Sequence, residues 1–126
     1  MRERMRRELS KGDGERFDIK QDSGGIADIE FLAQYWALAF AGRYPAVVMF
    51  ADTIRQLESV ASAALVPQAD VDVLTGAYRA YRATAHHLSL AGRPALVPGQ
   101  ELRAERADVK RIWDAAMGAG PPAAQV

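Results

Sequence analysis

Two carboxylates two residues apart, Asp28 and Glu30, are the first candidates for chemistry in this sequence. On a strand, side chains with this spacing point the same way and can hold the divalent metal ion that nucleotidyl transfer commonly uses. On a helix, about 100° per residue separates them by about 200°, so they cannot share an ion. The apolar spacing around them is helical, and we expect the two to face opposite sides. Asp28 then stabilises the helix by interacting with the positive end of its dipole. Alternatively, either acid forms an ionic contact with a neighbouring domain or a bound ligand.

A doubled glycine, Gly24-Gly25, precedes this helix and is the second candidate. Bare N–H groups at a helix start can bind phosphate, and Lys20 would add a positive charge. Asp22 or Ser23 can accept N–H groups of the helix that follows. Turns of this kind are usually only turns, and no Lys-Ser/Thr ending of a P-loop follows.

His86 and His87 are adjacent on a predicted helix, which makes them a poor metal-binding pair compared with histidines four residues apart. We expect one to face solvent and the other to flank the core. Four aromatic residues at stripe positions are predicted to pack in the core: Trp36, Phe40, Tyr78 and Tyr81. Arg79 and Arg82 lie off the stripe and can form a small basic patch.

Apolar residues spaced by three and four predict four helices. The first ends near Gly42, the second begins at Pro45 with a stripe reaching Ala64, the third runs from Pro67 to Gly92, and the fourth spans about Gln100 to Met117. In the alternating segment 17–20, Phe17 and Ile19 share one face. Asp18 and Lys20 share the other, and the segment is too short for a sheet. Residues 92–99 are predicted to be a loop. The expected fold is all-α, an antiparallel bundle of about four helices with a short extended N-terminal segment.

Length and composition limit the number of domains and the kinds of partner that this chain can have. The 126 residues suit one domain, and 16 basic against 16 acidic residues remove the charge expected for binding nucleic acid or an anionic membrane. The absence of cysteine excludes disulfides and thiolate metal sites, and no apolar run suits a signal peptide or membrane span, so we expect a cytoplasmic protein. The predicted organisation is the end of a linker helix and loop over 1–16, the bundle over 17–117, and a disordered tail over 118–126. The linker helix is predicted over residues 1–9 and is expected to continue upstream of residue 1.

The stretch from Phe17 to Gln34, FDIKQDSGGIADIEFLAQ, resembles the signature of the glutamine synthetase adenylyltransferase family. These bifunctional enzymes attach and remove AMP on glutamine synthetase. The motifs Phe-Asp-Ile-Lys, Gly-Gly-Ile and Asp-Ile-Glu-Phe occur in the family's order, and the resemblance covers about residues 1–117. Family members carry two nucleotidyltransferase domains, each followed by a helical domain. This chain is most similar to the helical domain after the second, adenylylating copy.

The resemblance implies an ATP- and magnesium-dependent enzyme that transfers AMP to a glutamine synthetase tyrosine. It implies that Lys20, Gly24 and Gly25 lie near the nucleotide phosphates. Asp28 or Glu30 would order the domain junction, and the segment containing Asp18 would run beside the catalytic core. The family's metal-binding carboxylates lie upstream, and no Asp-x-Asp segment precedes residue 17. We therefore expect no cofactor bound by this chain alone, no catalysis in isolation, and an upstream nucleotidyltransferase domain as partner.

Two other interpretations remain. The chain could be a free-standing helical module that binds glutamine synthetase or a nitrogen-signalling regulatory protein. The related uridylyltransferase family shares the Gly-Gly turn, although Phe31 and Gln34 favour the adenylyltransferase.

Overall fold

The computed structural model describes residues 16–40 and 52–118 of the chain. Its elements in chain order are β1 (Arg16–Asp18), α1 (Ile26–Phe40), α2 (Thr53–Ser62), α3 (Gln68–Leu90), β2 (Leu96–Pro98) and α4 (Arg103–Gly118). The expected helical fold is confirmed. The helix predicted for residues 1–9 lies outside the described residues, as does the predicted tail beyond Gly118, which itself ends α4.

The directions of the helices follow from contacts along their lengths. Helices α3 and α4 run antiparallel. Asp70 near the start of α3 lies 4.0 Å from Arg111, whereas Tyr81, farther along α3, and Arg106, near the start of α4, both lie against the Phe17 ring. Helices α1 and α4 run parallel. Gly24, just before α1, packs against the first turn of α4, and Phe31 contacts Trp113 one to two turns farther along both helices.

The extended segment pairs with a second strand, which the sequence interpretation missed. Strands β1 and β2 are antiparallel, with Phe17 opposite Val97 and Asp18 opposite Leu96. The predictions that 17–20 is too short for a sheet and that 92–99 is only a loop were therefore wrong. Local patterns cannot reveal a pairing between segments that lie so far apart in the chain.

Three helix boundaries also differ from the prediction. Asp52 has an extended backbone and its carboxylate accepts the Arg55 N–H at 3.1 Å, so α2 begins at Thr53 instead of continuing through this position. The start predicted at Pro45 lies outside the described residues. Ala64 and Leu102 both have φ of +59°, which places them outside α2 and α4.

The core lies between the helices and beneath the strand pair. Trp36, Tyr78 and Tyr81 are buried there as predicted, whereas the side chain of Phe40 lies outside the described residues. Both histidines are exposed, so the prediction that one flanks the core was wrong. At about 100° per residue, His86 and His87 each lie more than about 100° from the middle of the α3 stripe, on opposite sides of it. None of the helices in residues 16–40 and 52–118 has the length and apolarity to span a membrane.

Candidate functional site

The chain reverses between β1 and α1 in a turn that two acidic side chains hold together. The Asp18 carboxylate accepts the N–H groups of Lys20 at 3.0 Å and Gln21 at 3.1 Å. The Asp22 carboxylate accepts the N–H of Asp18 at 2.8 Å. Asp18 is buried, and its carboxylate organises the turn from inside, whereas Lys20 is exposed.

The two glycines are required by close packing. Gly24 has φ of +82°, and a Cβ there would lie 2.9 Å from the carbonyl oxygen of Arg106. A Cβ at Gly25 would overlap the carbonyl oxygen of Ile19. Side chains at either position would therefore push the turn off α4 or off its own strand.

The N–H groups at this helix start are already bonded within the chain. Gly24 donates to the Asp28 carboxylate at 2.8 Å, and Gly25 donates to the Asp22 carbonyl at 2.9 Å. The next two N–H groups, of Ile26 and Ala27, donate to backbone carbonyls at 2.8 and 3.0 Å. In this conformation the glycine turn offers a ligand none of these four donors. We call Asp18, Asp22, Gly24, Gly25 and Asp28 the turn network.

Asp28 and Glu30 face different environments, as the helical spacing predicts. Asp28 is 1% exposed and belongs to the turn network. Glu30 is exposed, and its Oε2 accepts the hydroxyl of Tyr78 at 3.0 Å. The two acids cannot share an ion. Within the described residues no three His, Asp or Glu side chains cluster in a way that could hold a metal ion.

Glu30 lies at the wall of a cavity of about 510 Å³ between the turn, α1 and α3. Lys20, Tyr78, Arg82 and His86 also line it. Arg82 lies with its Nη1 3.4 Å from the Tyr78 hydroxyl and its guanidinium 5.6 Å from the centre of that ring. Polar contacts therefore run from Arg82 through Tyr78 to Glu30 along one wall.

A second cavity of about 330 Å³ adjoins the first. The two share Lys20, Gln21, Ala85 and Ser89, and the second adds Arg93 and the start of β2. We call the two cavities together the basic groove. Its charged side chains that reach the surface are Lys20, Arg82, Arg93 and Glu30. Cations therefore outnumber exposed carboxylates along it.

A buried cluster under the turn network joins β1 to α3 and α4. The rings of Phe17 and Tyr81 meet edge to face with centres 5.8 Å apart, and the Arg106 guanidinium lies 4.0 Å from the Phe17 ring centre. Burial raises the pKa of Tyr81, the charge of Glu105 adds to that effect, and Arg106 opposes it. Tyr81 therefore remains neutral well beyond physiological pH.

The structure separates the six residues predicted to bind a nucleotide or the domain junction. Lys20 and Glu30 reach the basic groove. Asp18 lines the second cavity of the groove with a buried side chain. Gly24, Gly25 and Asp28 instead form the interior below the groove, and a binding role for any of the six stays a prediction. Of the predicted arginine patch, Arg82 lines the groove.

Sequence reasoning missed Arg93 and the second role of Tyr78. Tyr78 lies on the apolar stripe, which signals only packing, and its hydroxyl reaches Glu30 because α1 and α3 meet there. Arg93 follows the end of α3, and only the unpredicted pairing of β2 with β1 places it beside Lys20.

Comparison with known proteins agrees with the signature. A family model described as GlnD PII-uridylyltransferase matches residues 1–96. The bifunctional glutamine synthetase adenylyltransferase/adenylyl-removing enzyme of Pseudomonas aeruginosa is 48% identical over 97 residues, covering 77% of this chain and 10% of the relative. The chain belongs to this family of glutamine synthetase adenylyltransferases and PII-uridylyltransferases.

Two further relatives with the same enzyme name extend the match beyond β2. That of Nitrosococcus oceani is 44% identical over 115 residues, covering 91% of this chain and 12% of the relative. That of Thioalkalivibrio sulfidiphilus is 40% identical over 120 residues, covering 95% of this chain and 12% of the relative. The chain thus spans about a tenth of the length of these enzymes.

Proposed function

We propose that this chain is the helical part of a glutamine synthetase adenylyltransferase and forms one wall of its nucleotide cleft. An upstream nucleotidyltransferase domain would supply the metal-binding carboxylates, ATP and Mg²⁺ would be the cofactors, and AMP would pass to a tyrosine of glutamine synthetase. The observation that carries the proposal is the position of Lys20 and Glu30. These two members of the family signature are exposed and line the same cavity.

Within that enzyme the chain's residues divide into two roles. The turn network fixes the backbone of Lys20 and Gln21, because the Asp18 carboxylate holds both N–H groups. Lys20 then presents its ammonium group to the nucleotide phosphates as a point charge. Glu30, oriented by the Tyr78 hydroxyl, faces the domain junction. These roles bind and orient, and the chemistry of transfer belongs to the upstream domain.

The test compares the chain alone with the chain joined to its upstream domain. The isolated chain should transfer no AMP to glutamine synthetase, and the joined enzyme should transfer it. Lys20→Ala in the joined enzyme should weaken ATP use, seen as a KM increase of about tenfold for loss of one charge-assisted contact. Arg79→Ala is the matched control, since Arg79 is exposed on α3 but lies outside the groove. Unchanged ATP affinity and AMP transfer in Lys20→Ala would remove Lys20 from the cleft.

An exposed aromatic surface favours a second candidate function, a module that binds glutamine synthetase or a nitrogen-signalling protein without catalysis. Phe31 is 42% exposed, and its ring centre lies 5.2 Å from that of Trp113 and 6.3 Å from that of Tyr35. Leu38, two turns along α1, is 73% exposed. Calorimetric titration of the chain with glutamine synthetase in the absence of ATP, repeated with Phe31→Ser, distinguishes this function. Heat that the substitution abolishes would support it, and the absence of heat would rule out a free-standing binder of that enzyme.

A further inference from the structure

One arginine of α4 contacts the chain on both sides of Lys20. The Arg106 guanidinium lies 4.0 Å from the centre of the Phe17 ring, which belongs to β1 and precedes Lys20. The Arg106 carbonyl packs against Gly24, which follows Lys20, so closely that a Cβ at Gly24 would lie 2.9 Å from it. The first turn of α4 therefore contacts the segment that carries Lys20 at both of its ends.

The hydrogen bonds of the turn network do not by themselves fix this segment against α4. The Asp18 carboxylate holds the N–H of Lys20 at 3.0 Å, and the Asp28 carboxylate holds that of Gly24 at 2.8 Å. Both bonds join residues that are close together in the sequence, so they set the shape of the turn. Its position relative to α4 depends on contacts between distant parts of the sequence, and Arg106 supplies two of them.

Arg106 is poorly suited to a role in stability alone. Its Nε is buried and has no hydrogen-bond partner among the described residues, and within them the side chain forms no ion pair. A buried donor without an acceptor costs stability, which an apolar side chain at this position would avoid. What the guanidinium adds is a directional attraction to the face of the Phe17 ring. The contact therefore restricts the position of the ring more than a flexible apolar chain would.

The Phe17 ring is also held by α3. The Tyr81 ring meets it edge to face, with centres 5.8 Å apart and planes inclined by 64°. Tyr81 is fully buried in a packed interior, so its ring has little freedom to move. Phe17 is followed directly by Asp18, whose carboxylate holds the Lys20 N–H. A continuous series of contacts thus runs from Arg106 through Phe17 and Asp18 to Lys20.

We propose that Arg106 is a positioning residue for Lys20. It lies outside the two cavities of the basic groove and acts through Phe17 and Gly24, which place the turn that presents Lys20. The inference rests on the proposed function for its effect on ATP use, whereas its effect on the turn can be measured without nucleotide. It gives α4, which the family-model match over residues 1–96 does not reach, a part in placing the cation of the family signature.

The first experiment is a double-mutant cycle in the enzyme joined to its upstream domain. Arg106→Met keeps a long side chain and removes the charged plane. It should raise the KM for ATP about threefold and leave kcat within about twofold, because it misplaces one binding group without touching the chemistry. In a Lys20→Ala background it should change the KM less than about 1.5-fold, since it acts through Lys20. Arg111→Met is the matched control, because Arg111 is 60% exposed on the same helix, and it should leave the KM unchanged.

Amide hydrogen exchange in the 126-residue chain tests the turn without nucleotide. In Arg106→Met the N–H groups of Lys20 and Gly24 should exchange about tenfold faster than in the unmodified chain. The N–H of Ala77, in the middle of α3, should change less than about twofold, because the effect is confined to the turn. Arg111→Met should change neither set.

Equal acceleration at Lys20 and Ala77 would mean that Arg106 only stabilises the fold, and would overturn the proposal. An unchanged exchange rate at Lys20 would overturn it too, as would a KM effect of Arg106→Met that persists in full in the Lys20→Ala background. An unchanged KM in Arg106→Met, where Lys20→Ala raises it, would have the same consequence. Unchanged ATP use in Lys20→Ala, combined with local acceleration at Lys20 in Arg106→Met, would contradict the proposed function and leave the placement of the turn by Arg106 intact.

Discussion

The turn network and the basic groove are built from neighbouring residues but differ in what surrounds them. In the turn network, Asp28 is 1% exposed and holds the Gly24 N–H. In the groove, Glu30 is exposed and accepts the Tyr78 hydroxyl at 3.0 Å. The polar groups of the turn network are therefore committed to the fold, whereas the groove presents Lys20, Arg82 and Glu30 at the surface. Substitutions below the groove should change the free energy of unfolding, and substitutions along it should change ligand affinity.

The largest effect is expected for Gly25→Ala. The added methyl group overlaps the backbone carbonyl of Ile19, which cannot move without shifting β1. We expect a loss of about 3 kcal/mol or more in the free energy of unfolding, measured by urea denaturation followed by tryptophan fluorescence. The control is Gly76→Ala in α3, where no atom lies within 4 Å of the new Cβ. It should stabilise the protein by about 0.5–1 kcal/mol, and equal stabilities of the two variants would contradict the tight turn.

Asp28→Ala should have the next largest effect. It leaves the buried Gly24 N–H without its acceptor, which costs about 2 kcal/mol. The matched change Glu30→Ala removes an exposed carboxylate from the same helix and should cost less than about 1 kcal/mol. Thermal unfolding of the two variants side by side measures the difference. A larger loss of stability from Glu30→Ala than from Asp28→Ala would contradict the assignment of Asp28 to the interior and Glu30 to the surface.

Tyr81→Phe tests the buried cluster through its pH dependence. Within the described residues the Tyr81 hydroxyl has no hydrogen-bond partner, so at pH 7 its removal should change stability by less than about 1 kcal/mol. Because the folded pKa of Tyr81 is raised above the ordinary value of 10.0, its stabilising contribution is complete below pH 10 and falls as pH rises further. Denaturation curves between pH 8 and 11 should show a steeper alkaline loss in the unmodified protein than in Tyr81→Phe. Parallel losses would mean that Tyr81 ionises normally.

Lys20→Ala should have the smallest effect on stability. Its side chain is exposed, and the backbone N–H that bonds to Asp18 is retained. We expect a change within about 0.5 kcal/mol in urea denaturation. A loss comparable to that of Asp28→Ala would place Lys20 in the turn network and remove the distinction between the two regions.

The periodic features of the fold could be predicted from the sequence. The apolar stripes predicted four helices, and the helical period of α1 predicted that Asp28 and Glu30 face opposite sides. The signature also directed attention to Lys20 and Glu30, which line one cavity. These features depend on residues close together in the chain, where spacing is informative.

The features that sequence reasoning missed depend on contacts between distant segments. The doubled glycine suggested open N–H donors, but Ile19 and Arg106 pack against these positions and the donors are bonded inside the chain. The second strand and Arg93 were missed because β2 forms only where β1 lies beside it. The alternation over residues 17–20 indicated an extended segment, but strands of three residues are too short for the sequence to identify their partner.

The cluster of Phe17, Tyr81 and Arg106 has a practical consequence for defining the smallest usable piece of this protein. The matched family region stops at residue 96, one position before Val97, which pairs with Phe17. A polypeptide trimmed at residue 96 would keep the whole signature stretch. It would lose the Arg106 guanidinium that covers the Phe17 ring and the helix α4 against which Gly24 packs. The packed unit therefore includes all of α4, whose last residue, Gly118, lies 22 positions beyond the last residue that the family model matches.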